Sequence, residues 1–186
     1  MEPPSTQPRL LTLTDLWGAR RFDWWQHYEK RLGAHWEIEH YDATELAQID
    51  LQRYEEEALH RQFVNGGIVR AVAELLRREA GRPPAHVLAF SVGATIAWRA
   101  LRAGLSARFL LAVSATRLRY ESDFPQVPGV LLYGANDPYR PASDWLPHCP
   151  LPTLLLPEVG HDCYRRIDWI PPILNQLPTP NSKPLR

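Results

Sequence analysis

The stretch Ala89-Phe90-Ser91-Val92-Gly93 places a serine between small residues, at the junction of two different sequence patterns. The run 86–90 that leads into it is short and mostly apolar, which is typical of a buried β-strand. The run 93–102 that follows is rich in helix-forming residues. A serine at such a strand-to-helix turn has the layout of a nucleophile elbow. In that layout the turn raises the hydroxyl above the sheet and aims the first helix amides at the atom it attacks.

Other apolar runs alternate with helical patterns along the chain. Continuous apolar strands separated by helices are typical of a parallel sheet covered on both faces. The sequence therefore predicts a three-layer α/β/α sandwich with a mainly parallel sheet of about six strands. Strands are predicted at 10–14, 36–41, 86–90, 109–113, 130–133 and 153–156. Helices are predicted at 23–32, at 66–80 with Asn65 as its cap, at 93–102, and near Pro171-Pro172, which should interrupt the last one.

Length and composition narrow the class of protein. The 186 residues suit one domain, predicted to span 10–177, with a flexible segment at 1–9 and a flexible Pro-rich tail at 178–186. Acidic and basic side chains balance at 21 each, so no net charge attracts nucleic acid or an anionic membrane. No apolar run approaches the roughly 20 residues that span a bilayer, and the first residues lack a signal-peptide pattern. Since Cys149 and Cys163 make no disulfide framework, a cytoplasmic location is predicted.

A base and an orienting acid are available for the serine. A serine hydroxyl needs a base to become a nucleophile, and the base needs a group that orients it. Asp137 follows a predicted strand in Tyr133-Gly134-Ala135-Asn136-Asp137, and His161 follows the last one in Val159-Gly160-His161. Because loops after the carboxyl ends of parallel strands share one edge of the sheet, Ser91, Asp137 and His161 are expected to converge.

Each of these residues also has a plainer interpretation. Ser91 could be an ordinary turn serine, Asp137 could form the turn before Pro138, and His161 could belong to the start of the last helix. The rival acids and bases do not directly follow a strand at the expected place. They are Asp123 and Asp144, and His27, His35, His40, His60, His86 and His148.

The three motifs, in the order Ser, Asp, His, resemble the α/β-hydrolase superfamily. The strand–helix alternation from 10 to 177 also fits, so the resemblance covers nearly the whole chain. It implies Ser91 as nucleophile, His161 as general base and then acid, and Asp137 as the group that orients His161. It implies the backbone amides of Leu16 and Val92 as the oxyanion hole, and no metal or organic cofactor.

Two positions depart from the family pattern. Ala89 stands where the family usually has glycine, and so small a change should preserve the turn. Thr14-Asp15 stands where members often have His-Gly beside the oxyanion hole. A carboxylate about 6 Å from the oxyanion would oppose it by about 3 kcal/mol at an effective dielectric near 20. Asp15 should therefore point away, pair with a cation such as Arg20 or Arg21, or mark a slow enzyme or an unusual substrate. If it faces the hole, Asp15→Gly should raise turnover.

Other side chains complete the expectations for the site. The segment 116–129 is too short for the lid domain that larger members insert there, so an open pocket bordered by Asp15, Trp17 and Tyr139 is predicted. Trp17 fits a pocket and a core position equally well, whereas Trp24 and Trp25 should pack in the core. Cys163 should be a packed residue. The doublets Arg77-Arg78 and Arg165-Arg166 are expected on solvated helix faces.

Two functions of different classes follow. The first is a serine hydrolase that cleaves a small-molecule carboxylic ester or thioester through an acyl-Ser91 intermediate. The second is a hydrolase-like fold that serves as a binding or interaction module with weak or no catalysis, for which Thr14-Asp15 is the main support. Labelling of Ser91 by a fluorophosphonate separates the two.

Overall fold

A computed structural model describes residues 7–180 of the chain. Its centre is a sheet of six strands, all parallel, in the order β2-β1-β3-β4-β5-β6. The strands are β1 (Arg9–Leu13), β2 (Glu37–Tyr41), β3 (Ala85–Phe90), β4 (Ala107–Val113), β5 (Gly129–Gly134) and β6 (Thr153–Leu156). The helices are α1 (Gln26–Leu32), α2 (Ala43–Leu46), α3 (Glu56–Gln62), α4 (Ile68–Glu79), α5 (Val92–Arg102) and α6 (Ile170–Leu174).

Side chains of successive strand residues enter two different cores, as the pleat of a strand requires. In β3, Val87 and Ala89 pack with the layer of α2 to α5, whereas Leu88 and Phe90 pack with the layer of α1 and α6. Both cores are buried and apolar, so each face of the sheet is covered. The predicted three-layer α/β/α fold with a parallel six-stranded sheet is confirmed.

The region before α4 differs from the prediction. Asn65 does not cap a helix, because Asn65 and Gly66 have non-helical backbone angles and form a kink in the segment Phe63–Gly67 that joins α3 to α4. Gly66 adopts φ +97°, which is easy only for a residue without a β-carbon. Helix α4 therefore begins at Ile68, two residues after the predicted start, and α3 was not predicted.

Other boundaries are shifted as well. Strand β1 begins at Arg9, inside the segment predicted as flexible, and α1 begins at Gln26 after a 3₁₀ turn over Asp23–Trp25. Pro171 and Pro172 do not interrupt the last helix. They lie in the first turn of α6, where the missing amide hydrogen costs little. The segments 1–6 and 181–186, which belong to the predicted flexible ends, lie outside the described residues.

No lid domain is inserted between β4 and β5, because the described segment 114–128 contains only a short 3₁₀ turn at Leu118–Tyr120. None of the helices in residues 7–180 combines the length and apolar character that a membrane span requires.

Candidate active site

The turn between β3 and α5 holds Ser91 in a strained backbone conformation. Ser91 has φ +52° and ψ −119°, a region that residues with a β-carbon rarely adopt. Its amide donates to the carbonyl oxygen of Val113 on the neighbouring strand, at 3.0 Å. A β-carbon on Gly93 would lie 2.1 Å from the carbonyl oxygen of Thr14, so only glycine permits this contact. The start of α5 therefore packs directly on the end of β1, and the buried Ala89 leaves the turn intact.

Ser91, His161 and Asp137 form one chain of hydrogen bonds at the carboxyl edge of the sheet. The Oγ of Ser91 lies 3.0 Å from Nε2 of His161, and Nδ1 of His161 lies 2.9 Å from Oδ2 of Asp137. A neutral imidazole with its proton on Nδ1 fits this arrangement, because Nε2 is then free to accept the serine proton. The other oxygen of Asp137 accepts the amide of Tyr139 at 2.8 Å. Asp137 is therefore both a turn former and the partner of His161.

The loops that carry Asp137 and His161 are joined beyond the ends of their strands. The amide of Asn136 donates to the carbonyl oxygen of Val159 at 2.9 Å. A β-carbon on Gly134 would lie 2.3 Å from the carbonyl oxygens of Val159 and Gly160, so the loops touch through backbone alone. This contact fixes the carboxylate and the imidazole relative to each other.

The alternative candidates for the acid and the base contact other groups. Asp123 pairs with Arg102, and Asp144 is exposed in the segment before the turn at 146–148. His40 bonds to Thr12, and the ring of His86 packs edge-on against Trp36. Of the rival histidines in the described chain, His60 alone lines the same cavity as Ser91, and it makes no hydrogen bond to that serine.

Two backbone amides near Ser91 are free to bind an oxyanion. Within residues 7–180, the amides of Leu16 and Val92 donate no hydrogen bond to the protein. Both residues line the cavity that also contains Ser91. Val92 is the first residue of α5, where an amide hydrogen has no partner inside the helix. The pair has the character required of an oxyanion hole.

The carboxylate of Asp15 does not line the cavity, and it is neutralised by a cation that the sequence did not indicate. Its Oδ2 accepts from Arg165 at 2.5 Å and from the hydroxyl of Tyr164 at 3.1 Å, and its Oδ1 accepts the amide of Trp17 at 2.9 Å. Asp15 is buried and does not line the cavity. The expectation of Arg20 or Arg21 as partner is wrong, because Arg21 lies instead over the ring of Trp17, 4.1 Å from its centre.

The surroundings of Asp15 shift the pKa values of its two side-chain partners, Tyr164 and Arg165. It raises the pKa of Tyr164 well above its usual value, and the neighbouring Asp15 carboxylate adds to the effect. Burial works against the charge of Arg165, but Asp15 and Tyr164 together raise the pKa of that guanidinium above its usual value. The hydroxyl thus stays protonated and the arginine charged, as the bonds to Asp15 require.

The cavity above Ser91 has a volume of about 500 Å³. Trp17 and Tyr139 border it, and Trp17 also packs against the core. Its apolar and aromatic lining includes Leu16, Phe63, Val64, Ile68, Tyr120 and Tyr164. A second concave surface, lined by 146–147 and 149–153, contains none of the hydrogen-bonded side chains described above. In residues 7–180, no group of three or more His, Cys, Asp or Glu is placed to bind a metal ion.

Several side chains depart from their sequence-based expectations, and others follow them. Trp24 and Trp25 are buried in the core, and Cys163 is buried, with its pKa raised by that burial. Arg165, expected on a solvated face, is instead bonded to Asp15. The doublet Arg165-Arg166 gave no sign of this pairing. Arg117 and Arg119, which line the cavity, were not singled out, since nothing local marks them.

No protein-family model matches the chain, and no curated protein matches it in sequence. Solved structures do match. An α/β serine hydrolase without a lid from Xanthomonas campestris is 18% identical, with 94% of this chain and 84% of that one covered and a TM-score of 0.62. A proposed hydrolase of the alpha/beta superfamily from the same organism is 19% identical, with 90% and 95% covered and a TM-score of 0.60. An alpha-beta serine hydrolase homologue from Coxiella burnetii is 14% identical, with 95% and 88% covered and a TM-score of 0.62.

At such low identity the shared property is the fold. The parallel sheet, the Ser91 turn and the short β4–β5 connection agree with it. The resemblance noted from the three motifs is confirmed at this level: the chain has the fold of the α/β-hydrolase superfamily, without a lid domain in its described residues.

Proposed function

We propose that this protein is a serine hydrolase that cleaves a carboxylic ester or thioester of a small molecule, with Ser91 as the nucleophile. The observation that carries the proposal is the chain from Ser91 Oγ through His161 to Asp137, with bonds of 3.0 and 2.9 Å. Three residues far apart in sequence meet in the geometry of a catalytic triad. Similarity to proteins described as hydrolases supports hydrolysis in general, and the ester or thioester substrate is our own proposal.

The chemistry would proceed in two halves. His161 Nε2 takes the proton of Ser91 as Oγ attacks the acyl carbon, and Asp137 stabilises the imidazolium that forms. The amides of Leu16 and Val92 stabilise the negative oxygen of the tetrahedral intermediate. His161 then protonates the leaving group, and acyl-Ser91 remains. A water molecule, deprotonated by His161, attacks the acyl carbon and releases the acid.

The pairing of Asp15 removes the main argument for a catalytically silent binding module. That argument was an uncompensated carboxylate beside the oxyanion hole, whereas Asp15 is bonded to Arg165, Tyr164 and the amide of Trp17. We therefore expect Asp15→Gly to lower turnover, the reverse of what a carboxylate facing the hole would give. We also propose that residues 10–177 form a single domain and that the protein is cytoplasmic.

Labelling by a fluorophosphonate tests the proposal. The wild-type protein should be labelled at Ser91, the label should vanish in Ser91→Ala, and it should fall sharply in His161→Ala. His60→Ala is the matched control, because His60 lines the same cavity without a bond to Ser91, and it should keep most of the label. Absence of label on folded wild-type protein would favour the binding module. Short nitrophenyl esters and acyl thioesters, compared side by side, then separate esterase from thioesterase.

A further inference from the structure

The loop after β4 contributes two arginines, Arg117 and Arg119, to the wall of the cavity above Ser91. This loop bonds directly to Ser91 and reaches His161 through Tyr139. The amide of Thr116 donates to the carbonyl oxygen of Ser91 at 3.3 Å, and Arg117 follows directly. Arg119 donates to the carbonyl oxygen of Tyr139 at 3.1 Å. The ring of Tyr139 meets that of His161 edge-on, with 4.9 Å between their centres.

Both guanidinium groups lie against one aromatic ring. Their central carbons are 4.9 Å (Arg117) and 4.7 Å (Arg119) from the centre of the Tyr120 ring. Tyr120 is 61% exposed, so its ring faces open space. Within residues 7–180, neither arginine has a carboxylate within 4.0 Å. Two like charges thus lie against the same ring, with no carboxylate of the described chain in contact with either.

Three other arginines show the contrast. Arg165 also lines the cavity, but Asp15 neutralises it, and Arg99 and Arg102 share the buried carboxylate of Glu121. The backbone at Arg117 is strained, with φ +64°, a conformation that favours glycine. The loop therefore holds a charged, strained residue at the cavity wall without the ion pair that Arg99, Arg102 and Arg165 have.

The charges of the remaining lining residues leave the cavity net positive. Four arginines and two carboxylates line it, the carboxylates being Glu56 at the start of α3 and Asp162 beside His161. Because Arg165 is paired with Asp15, three arginines remain, and the third of them, Arg21, lies over Trp17. A guanidinium pair of this kind matches the oxygens of a carboxylate or a phosphate, with which it forms strong, charge-assisted hydrogen bonds.

We propose that the substrate carries an oxyanion, a carboxylate or a phosphate, at the end remote from the scissile carbonyl, and that Arg117 and Arg119 bind it. This inference rests on the proposed hydrolase function and narrows its substrate class. A bound oxyanion would supply the opposite charge that the loop lacks. Contacts with Tyr120 and Tyr139 already orient the side chains of the two arginines. The acyl carbon would then lie towards Ser91.

Three esters with the same nitrophenol leaving group test this proposal. They are mono-4-nitrophenyl glutarate, 4-nitrophenyl 4-carbamoylbutanoate and 4-nitrophenyl 4-phosphonobutanoate, whose acyl chains end in a carboxylate, a neutral amide and a phosphonate. We expect kcat/KM for at least one anionic ester to exceed that for the amide by about tenfold or more, as hydrogen bonds to charged groups warrant. Whichever anionic ester is preferred identifies the oxyanion.

Variants of the two arginines test whether they cause the preference for an anionic ester. Arg117→Gln and Arg119→Gln should each lower the preference for the anionic ester several-fold, and the double variant should abolish it. Arg166→Gln is the matched control, because Arg166 is exposed and does not line the cavity. This variant should keep the preference for the anionic ester. Equal rates for all three esters, or a preference that survives in the double variant, would overturn the inference while leaving the hydrolase proposal intact.

A binding measurement separates this inference from the proposed function. Methyl hydrogen glutarate, methyl 4-phosphonobutanoate and methyl 4-carbamoylbutanoate are titrated by NMR into Ser91→Ala protein, with and without the two arginine substitutions. Tighter binding of an anionic ester that depends on Arg117 and Arg119 supports the inference even if no ester is hydrolysed and no fluorophosphonate label forms. Equal affinity for all three overturns it whatever the activity.

Discussion

Two buried carboxylates at opposite ends of the sheet have nearly the same partners. At the amino end, Glu79 accepts from Arg9 at 3.0 Å, from Arg82 at 3.2 Å and from the hydroxyl of Tyr41 at 2.5 Å. At the carboxyl end, Asp15 is held by an arginine and a tyrosine hydroxyl in the same way, with a backbone amide as its third donor. Each is a carboxylate withdrawn from solvent and satisfied by charged and neutral donors.

What differs is the part of the chain that each carboxylate joins. Glu79 ends α4 and ties it to the start of β1, far from Ser91. Asp15 precedes Leu16, whose amide belongs to the proposed oxyanion hole, and Arg165 follows His161 by four residues. The same arrangement therefore stabilises the fold at one end and aligns two halves of a candidate active site at the other.

The largest expected effect belongs to a third buried carboxylate, Asp137, whose partner is a histidine. Asp137→Asn should lower kcat for a nitrophenyl ester by about 10⁴-fold, because the amide favours the wrong tautomer of His161. Steady-state kinetics measure the change, and chemical denaturation checks that the protein still folds. Glu79→Gln, the matched change at the other end, should leave kcat within about twofold. A similar loss of kcat in both variants would contradict the difference between the two ends.

Arg165→Met should affect both stability and activity. It leaves the carboxylate of Asp15 buried without its cation, which costs about 3 kcal/mol of unfolding free energy. It should also lower kcat by about 10- to 100-fold, with KM changed much less, because a misplaced oxyanion amide acts mainly on the transition state. Urea unfolding and ester kinetics measure the two effects. A loss of stability with normal kcat would show that the Asp15–Arg165 pair is only structural.

Arg9→Met is the counterpart at the amino end and should have a smaller effect. Glu79 keeps Arg82 and Tyr41 as partners, so the unfolding free energy should fall by about 1–2 kcal/mol. Turnover should not change, since none of these residues lines the cavity. The same unfolding and kinetic assays apply. A fall in kcat at temperatures where the variant is fully folded would speak against the separation of the two ends.

The smallest effect concerns acid stability. Although burial opposes it, Arg82 and Arg9 lower the pKa of Glu39 below its usual value of 4.5. A carboxyl group whose pKa is lower in the folded than in the unfolded state stabilises the protein above the unfolded value. That contribution is lost as the pH falls through the folded pKa. Glu39→Gln should therefore flatten the decline of unfolding free energy below pH 4.5. An unchanged slope in denaturant titrations between pH 5 and 3 would refute this.

The sequence predicted the groups whose placement follows from local rules. Ser91, Asp137 and His161 each follow an apolar strand, and the carboxyl ends of parallel strands meet at one edge. Their convergence was therefore expected, and the structure brings them within hydrogen-bond distance. The fold class was predicted for the same reason, since alternating strands and helices leave few other topologies.

Contacts between distant segments could not be predicted in this way. Arg165 lies 150 residues from Asp15, and an arginine doublet alone gives no sign that one member is turned inward. The kink at Asn65 and Gly66 has the residue types of a helix start, and only the backbone angles in the folded chain distinguish the two. The sequence around Arg117 and Arg119 does not indicate that they border the cavity, because this depends on where the loop after β4 lies in the folded chain.

The bond between Asp15 and Arg165 also has a consequence for the order in which the chain is made. Synthesis proceeds from the N-terminus, and early segments can fold before later ones exist. Asp15 is made long before His161 and Arg165, which follow it by 146 and 150 residues. A nascent chain that has completed five strands therefore holds a carboxylate without its cation and a serine without its base. The Ser91 site can mature only after the segment that follows β6 has been made and has folded against the sheet.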